Sequence, residues 1–289
     1  MSLLDHIVNI ILVLLVVRFF LEEYLCYGLG PVCQAVFQIT DFFCKPIQSA
    51  LGNPTGKLQR AIPWIVIVLI LLIRGLWRAL PAFGGGGAEA PGALPAVLSS
   101  FSQFVDLAYL VVVGLLLVSV LLAKGGVAFY NSVGYQAFQR NTFRLLQITQ
   151  GFLHTHDLWR LFAGSVLWLA GLHFVLISLI SLDFLNGIRV PLGRELVFQV
   201  HTFVTLLGFY YFILLIAIIL SWVGPDLHNP VVAVIRALTE PYLRLFRRIC
   251  PWARIGMLDF SPILAFLVLV LIQQMLFNLT GSIAKFFAG

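Results

Sequence analysis

Charge is what this chain has least of. Asp, Glu, Lys and Arg together make up 10% of its 289 residues, against 61% hydrophobic residues and a mean hydropathy of +1.01. A soluble domain of this length could not cover so much apolar surface with so few charges, so the composition points to an integral membrane protein. Carboxylates are scarcer still, with twelve Asp and Glu beside six His. That leaves little stock for a water-filled catalytic core. Cysteine is sparse too. Cys26, Cys33, Cys44 and Cys250 form no Cys-x-x-Cys, and none stands beside a His at metal spacing. They read as small buried or interfacial hydrophobes. A Cys26–Cys33 bridge is sterically conceivable, but the topology below puts both on the reducing side. The sequence has no P-loop, no Gly-x-Ser-x-Gly with triad partners and no His-Glu-x-x-His. Its N-terminus lacks a basic region and a small-residue cleavage site, so the first apolar run is expected to be a retained span.

Long apolar runs are what the chain does have. Six are near spanning length: 7–25, 61–80, 104–123, 161–182, 202–223 and 263–279; a span needs about 20 residues for roughly 30 Å of hydrocarbon. The expected fold is all-α: a polytopic membrane protein with about six transmembrane helices and interfacial amphipathic helices. In the second run Arg74 and Arg78 follow a short apolar core, 65–73, and are expected to snorkel, with a re-entrant or strongly tilted segment as the alternative. Residues 83–95 form a Gly/Pro-rich linker. Residues 138–152 read as an interfacial helix bearing Arg140 and Arg144, and 181–200 as a turn-rich link. Twelve of the 18 Lys and Arg fall in the first, third and fifth loops, and five on the other side. The positive-inside rule then places those loops in the cytoplasm and both termini outside it. A net charge of +6 fits anionic headgroups as a partner. The basic residues are scattered over several loops, which argues against nucleic acid.

The polar island at 221–262 carries the densest pattern. Arg236, Glu240, Arg244, Arg247 and Arg248 fall within about a third of a helix circumference, and Ile235, Leu238, Tyr242, Leu245, Phe246 and Ile249 fill the opposite arc. Such a helix lies in the membrane interface. Glu240 can pair with Arg236 and Arg244 one turn away. Asn229-Pro230 reads as a turn with proline in the first helical turn. Thr239-Glu240-Pro241 reads as a second start with Thr239 as N-cap, giving two short helices meeting there. Asp259-Phe260-Ser261-Pro262 places a capping Asp or Ser before the last span.

These residues resemble the bacterial YggT family: a spanning helix ending in Ser221-Trp222, then Asn229-Pro230, Thr239-Glu240-Pro241, Arg247-Arg248, and Asp259 with Ser261-Pro262 opening the next helix. The match is most specific over 202–279. A fainter copy follows from a shift of 199 residues, which sets Pro31 on Pro230, Thr40 on Thr239, Asp41 on Glu240, Lys45 on Arg244 and Pro63 on Pro262. Arg18, ending the first span, also resembles the family's first unit. Two units in one orientation make a parallel repeat. The expected division is 1–80 for a degenerate first unit, 81–199 for a linker with two inserted spans, and 200–289 for the second unit.

The resemblance implies a bacterial inner-membrane protein with membrane-organising or assembly roles. In the family these include osmotic-stress tolerance in bacteria and help in attaching haem to a b-type cytochrome in plastids. It implies no catalytic residues, metal or cofactor here. The expected partners are anionic lipid and a membrane protein or a second copy. The competing reading is a small-ion transporter, favoured by repeats but weakened by few intramembrane ionisable groups: Arg18, Asp106 and His173. Asp106 reads as interfacial and His173 as a helix–helix hydrogen-bonding residue. Haem contact through His173 and His201 is disfavoured by their different depths. His154-Thr155-His156-Asp157 lacks a further ligand cluster and reads as an interfacial loop.

Overall fold

The computed structural model describes the chain except for residues 1–2, 22–30, 53, 55–56, 84–92, 126–132, 182–188, 224–228, 256–257 and 289. The described residues form α1 (Leu3–Phe20), α2 (Pro31–Ala50), α3 (Lys57–Phe83), α4 (Ala93–Gly125), α5 (Val133–Leu153), α6 (Leu158–Ser181), α7 (Arg189–Val223), α8 (Pro230–Ile249) and α9 (Ser261–Ala288). Between α8 and α9 lie a 3-10 turn and a two-residue antiparallel ladder, β1 (Arg254–Ile255) on β2 (Leu258–Asp259). Among the described residues, six helices hold segments long and apolar enough to cross a membrane: Leu3–Phe20, Ala61–Leu80, Leu94–Lys124, Leu158–Ser181, Pro191–Leu220 and Ser261–Phe287. The chain is therefore a multi-pass membrane protein. A helix satisfies its own backbone groups, which is the condition for crossing hydrocarbon.

The chain divides into two compact units. The first contains α1, α2, α3 and α5 with parts of α4 and α6; the second contains α7, α8 and α9 with the remaining parts of α4 and α6. In each, a non-spanning helix, α2 or α8, follows one span and precedes another, and it packs on both. Gly75 matters in the first unit. A Cβ there would come within 2.6 Å of the Val97 backbone, so only glycine lets α3 lie this close to α4.

Several expectations are corrected. The island holds one continuous helix, α8, with Pro241 inside it, not two helices meeting at Thr239. The Thr239 hydroxyl bonds back to the carbonyls of Ile235 (2.9 Å) and Arg236 (3.4 Å), so it caps nothing. Tertiary packing on α7 and α9 lets the helix continue past a proline that would break an isolated one. Ahead of α9, Asp259 belongs to β2 and Phe260 takes the N-cap position, since Leu264 N–H bonds the Phe260 carbonyl. Ser261 and Pro262 are both buried in the first turn. Residues 189–200, read as a link, are helical. Among the cysteines, Cys44 is buried and Cys250 half-buried; Cys26 and the side chain of Cys33 lie outside the described residues.

Candidate functional site

The α8 site starts from its cap. The Asn229 side chain accepts a hydrogen bond from Val231 N–H at 2.9 Å, and Pro230 follows at the first helical position, where its missing N–H costs nothing. From there α8 turns Ala237, Leu238, Thr239, Leu243 and Phe246 inward. Leu243 and Phe246 pack with Leu214 and Ile218 of α7 and with Ala265 and Leu269 of α9. Arg236, Arg244 and Arg248 stay exposed on the other face. Glu240 is half-buried and bound by Arg247 Nη1 at 3.1 Å and by Arg244 Nε at 3.7 Å. The main partner is thus Arg247, seven residues away.

Two tyrosines fix α8 between its neighbours. Pro241 has no N–H to give the Ala237 carbonyl. Beside that opened turn, Tyr210 of α7 donates its hydroxyl to the Leu238 carbonyl at 3.2 Å. Tyr242 donates to the Ala265 carbonyl of α9 at 2.8 Å. Their rings meet edge to face at 5.8 Å. Burial pushes the Tyr242 hydroxyl up to about 12, so it remains a donor at physiological pH. Sequence reasoning took Tyr242 as apolar filling and did not single out Tyr210. A buried Tyr needs a polar partner, and that was the available signal.

The first unit places the aligned residues in a similar local frame. α2 begins at Pro31 and runs 20 residues, as α8 does from Pro230. The Thr40 hydroxyl bonds back to the Val36 (2.6 Å) and Phe37 (3.2 Å) carbonyls, as Thr239 does one shift later. Lys45 reaches Asp41 at 3.0 Å across one turn, the place Arg244 holds against Glu240. The difference is Arg18. From the end of α1 its Nη1 donates to Thr40 Oγ1 (2.7 Å) and Asp41 Oδ1 (2.6 Å), and its guanidinium lies 4.6 Å over the Phe37 ring. Burial raises the Asp41 pKa, but hydrogen bonds from Arg18 and Lys45 outweigh it and hold the carboxyl below its ordinary value.

At the other end of α1 a second polar cluster forms. Asp5 Oδ1 takes Arg74 Nη2 at 3.0 Å and Arg78 Nη2 at 2.7 Å. Arg74 Nη1 donates to Asn9 Oδ1, and Gln103 Oε1 of α4 accepts from Arg74 Nη2 and Arg78 Nη1, each at 3.0 Å. Arg74 is therefore buried and paired instead of snorkelling as expected. Asp106 stands twelve residues inside the candidate span Leu94–Lys124 and meets buried His173 Nε2 at 2.9 Å. The Tyr109 ring lies 5.0 Å from that imidazole. In the His154–Asp157 loop, Asp157 Oδ1 accepts from Trp159 N–H at 3.2 Å and so caps α6. Among the described residues no three His, Cys, Asp or Glu side chains gather at metal distance. The side chains of Pro230, Asp259 and Arg140 lie outside the description.

The fold and these contacts define a class: a multi-pass membrane protein that folds an amphipathic helix between two spans. Comparison with known proteins identifies the second of these arrangements. Residues 197–280 match the CCB3/YggT family model, from within α7 to within α9, which bears out the resemblance drawn from 202–279. The chain is also 44% identical over 69 residues to the uncharacterized protein PA0392 of Pseudomonas aeruginosa, covering 24% of this chain. It spans about a third (34%) of that relative's length. No solved structure matches.

Proposed function

We propose that the chain is a non-enzymatic membrane-organising or assembly protein of the bacterial inner membrane, with α2 and α8 in the cytoplasmic headgroup layer and both termini outside. One observation carries the reading. Helix α8 is anchored by an apolar face and two tyrosine bonds, while Arg236, Arg244 and Arg248 are left facing outward. That is the arrangement of an interfacial helix that holds anionic headgroups, each basic residue adding about 1 kcal/mol near a charged surface. The match over 197–280 supports a YggT-type role, and the resemblance extends it to osmotic stress. The triple change of Arg236, Arg244 and Arg248 to Gln tests this. Retention of phosphatidylglycerol over phosphatidylcholine in mild detergent is expected to fall several-fold, with recovery of co-purifying membrane proteins falling alongside. Unchanged lipid retention and unchanged recovery would sink the reading.

A second reading, a small-ion transporter, is favoured by the His173–Asp106 pair inside the spans, since intramembrane ionisable groups mark ion paths. Proton or cation flux in proteoliposomes, with His173→Ala as the control, decides it. Flux at background in both proteins removes it.

A further inference from the structure

The last span carries three carboxamides with different fates. Gln273 turns inward and donates to the Val204 carbonyl of α7 at 3.3 Å. Gln274 and Asn278 face outward and are exposed. They share one long hydrogen bond of 3.4 Å. Each carboxamide has two N–H donors and two acceptor lone pairs, so most of this capacity is turned away from the unit. Gln274 stands thirteen residues from either end of the Ser261–Phe287 span. At a 1.5 Å rise per residue that is about 20 Å each way, the middle of the hydrocarbon. Water is absent there, and an unmet amide costs several kcal/mol.

The two residues belong to a longer seam. Leu267, Leu271, Gln274, Asn278, Gly281 and Lys285 follow alternating steps of four and three, the spacing of a helix–helix contact line, and all are exposed. Gly281 has open space around its Cα, which lets a second backbone come close. We propose that this seam is a homodimer interface, occupied by α9 of a second copy of the chain. Copies insert with the same orientation, so a two-fold axis along the membrane normal brings identical residues together at identical depth. A carboxamide is both donor and acceptor and pairs with its own kind. Gln274 then meets Gln274, and Asn278 meets Asn278, in a layer without water. This inference concerns α9 and stands independently of the headgroup role proposed for α8.

Cysteine cross-linking in native membranes tests it, on a background with the four natural cysteines replaced by Ala and wild-type helix content retained. Leu271→Cys is expected to give an oxidised dimer; Leu279→Cys, exposed on a different face of α9, is expected to stay monomeric. The paired change Gln274→Leu and Asn278→Leu removes no inward contact, and it is expected to weaken dimerisation in lipid nanodiscs about tenfold or more. Any of four outcomes overturns the proposal: a monomeric wild-type mass in nanodiscs, equal cross-linking at 271 and 279, Leu271→Cys trapping another part of the same chain or a different protein, or a dimer indifferent to the leucine pair.

Discussion

Helices α2 and α8 share a length, a proline start, a threonine that bonds back to its own helix and an acid–base pair one turn apart, yet they are tied down differently. In the first unit the acid is the tie. Asp41 and Thr40 both bind Arg18, which belongs to α1. In the second unit Glu240 is satisfied within α8 by Arg247 and Arg244, and neutral tyrosine hydroxyls make the bonds to α7 and α9. The local motif therefore does not dictate the tertiary clamp. One unit is held by charge and the other by neutral hydrogen bonds, so the two should respond differently to changes that touch charge.

The largest contrast is expected from removing the acids. Asp41→Ala leaves Arg18 without its carboxylate and should destabilise the first unit by about 2–3 kcal/mol, less than a fully buried pair because Asp41 is partly exposed. Glu240→Ala, at the edge of an exposed basic face, should cost under about 1 kcal/mol. Hydrogen exchange of α2 and α8 amides in lipid nanodiscs measures both, and equal losses would break the comparison. Next come the tyrosines. Tyr210→Phe with Tyr242→Phe should loosen α8 by about 2 kcal/mol, roughly one per lost bond, and leave α2 unchanged. The threonines sharpen the point further. Thr40→Val removes an acceptor for Arg18 and should cost about 1–2 kcal/mol, whereas Thr239→Val gives up a back-bond worth under about 1 kcal/mol. The smallest effect is a pH effect. Because the Asp41 pKa is depressed, its contribution is complete above the ordinary value of 3.8 and is lost only as pH falls through the lower folded value. Exchange in α2 should rise below about pH 4, and an α2 indifferent to acid would count against the Arg18–Asp41 clamp.

Much of this was legible in the sequence, and the misses have physical causes. Spans are readable because hydrocarbon demands apolar length, and all six were placed. The exposed basic face of α8 was readable from the spacing of Arg236, Glu240, Arg244 and Arg248. Pro241 misled because propensity argues for a break, and packing from α7 and α9 overrode it. Arg74 and Arg78 misled because snorkelling is a local solution, whereas their partners Asp5 and Gln103 lie far off in sequence. The signal was present even so: a lone acid in the first turn of α1 faces the same side of the membrane as two arginines near the end of α3. Tyr210 was missed because a tyrosine in an apolar run has no pattern of its own.

The Asp5 cluster also bears on how the protein is made. Helix α1 is synthesised before α3, so Asp5 and Asn9 reach the membrane well before Arg74 and Arg78 are made. Two guanidinium groups then enter a bilayer in which their counter-charge already waits. Gln103 arrives later still, on α4, and closes the cluster from the far side. The order of translation is thus the order in which the charges of the third helix can be neutralised.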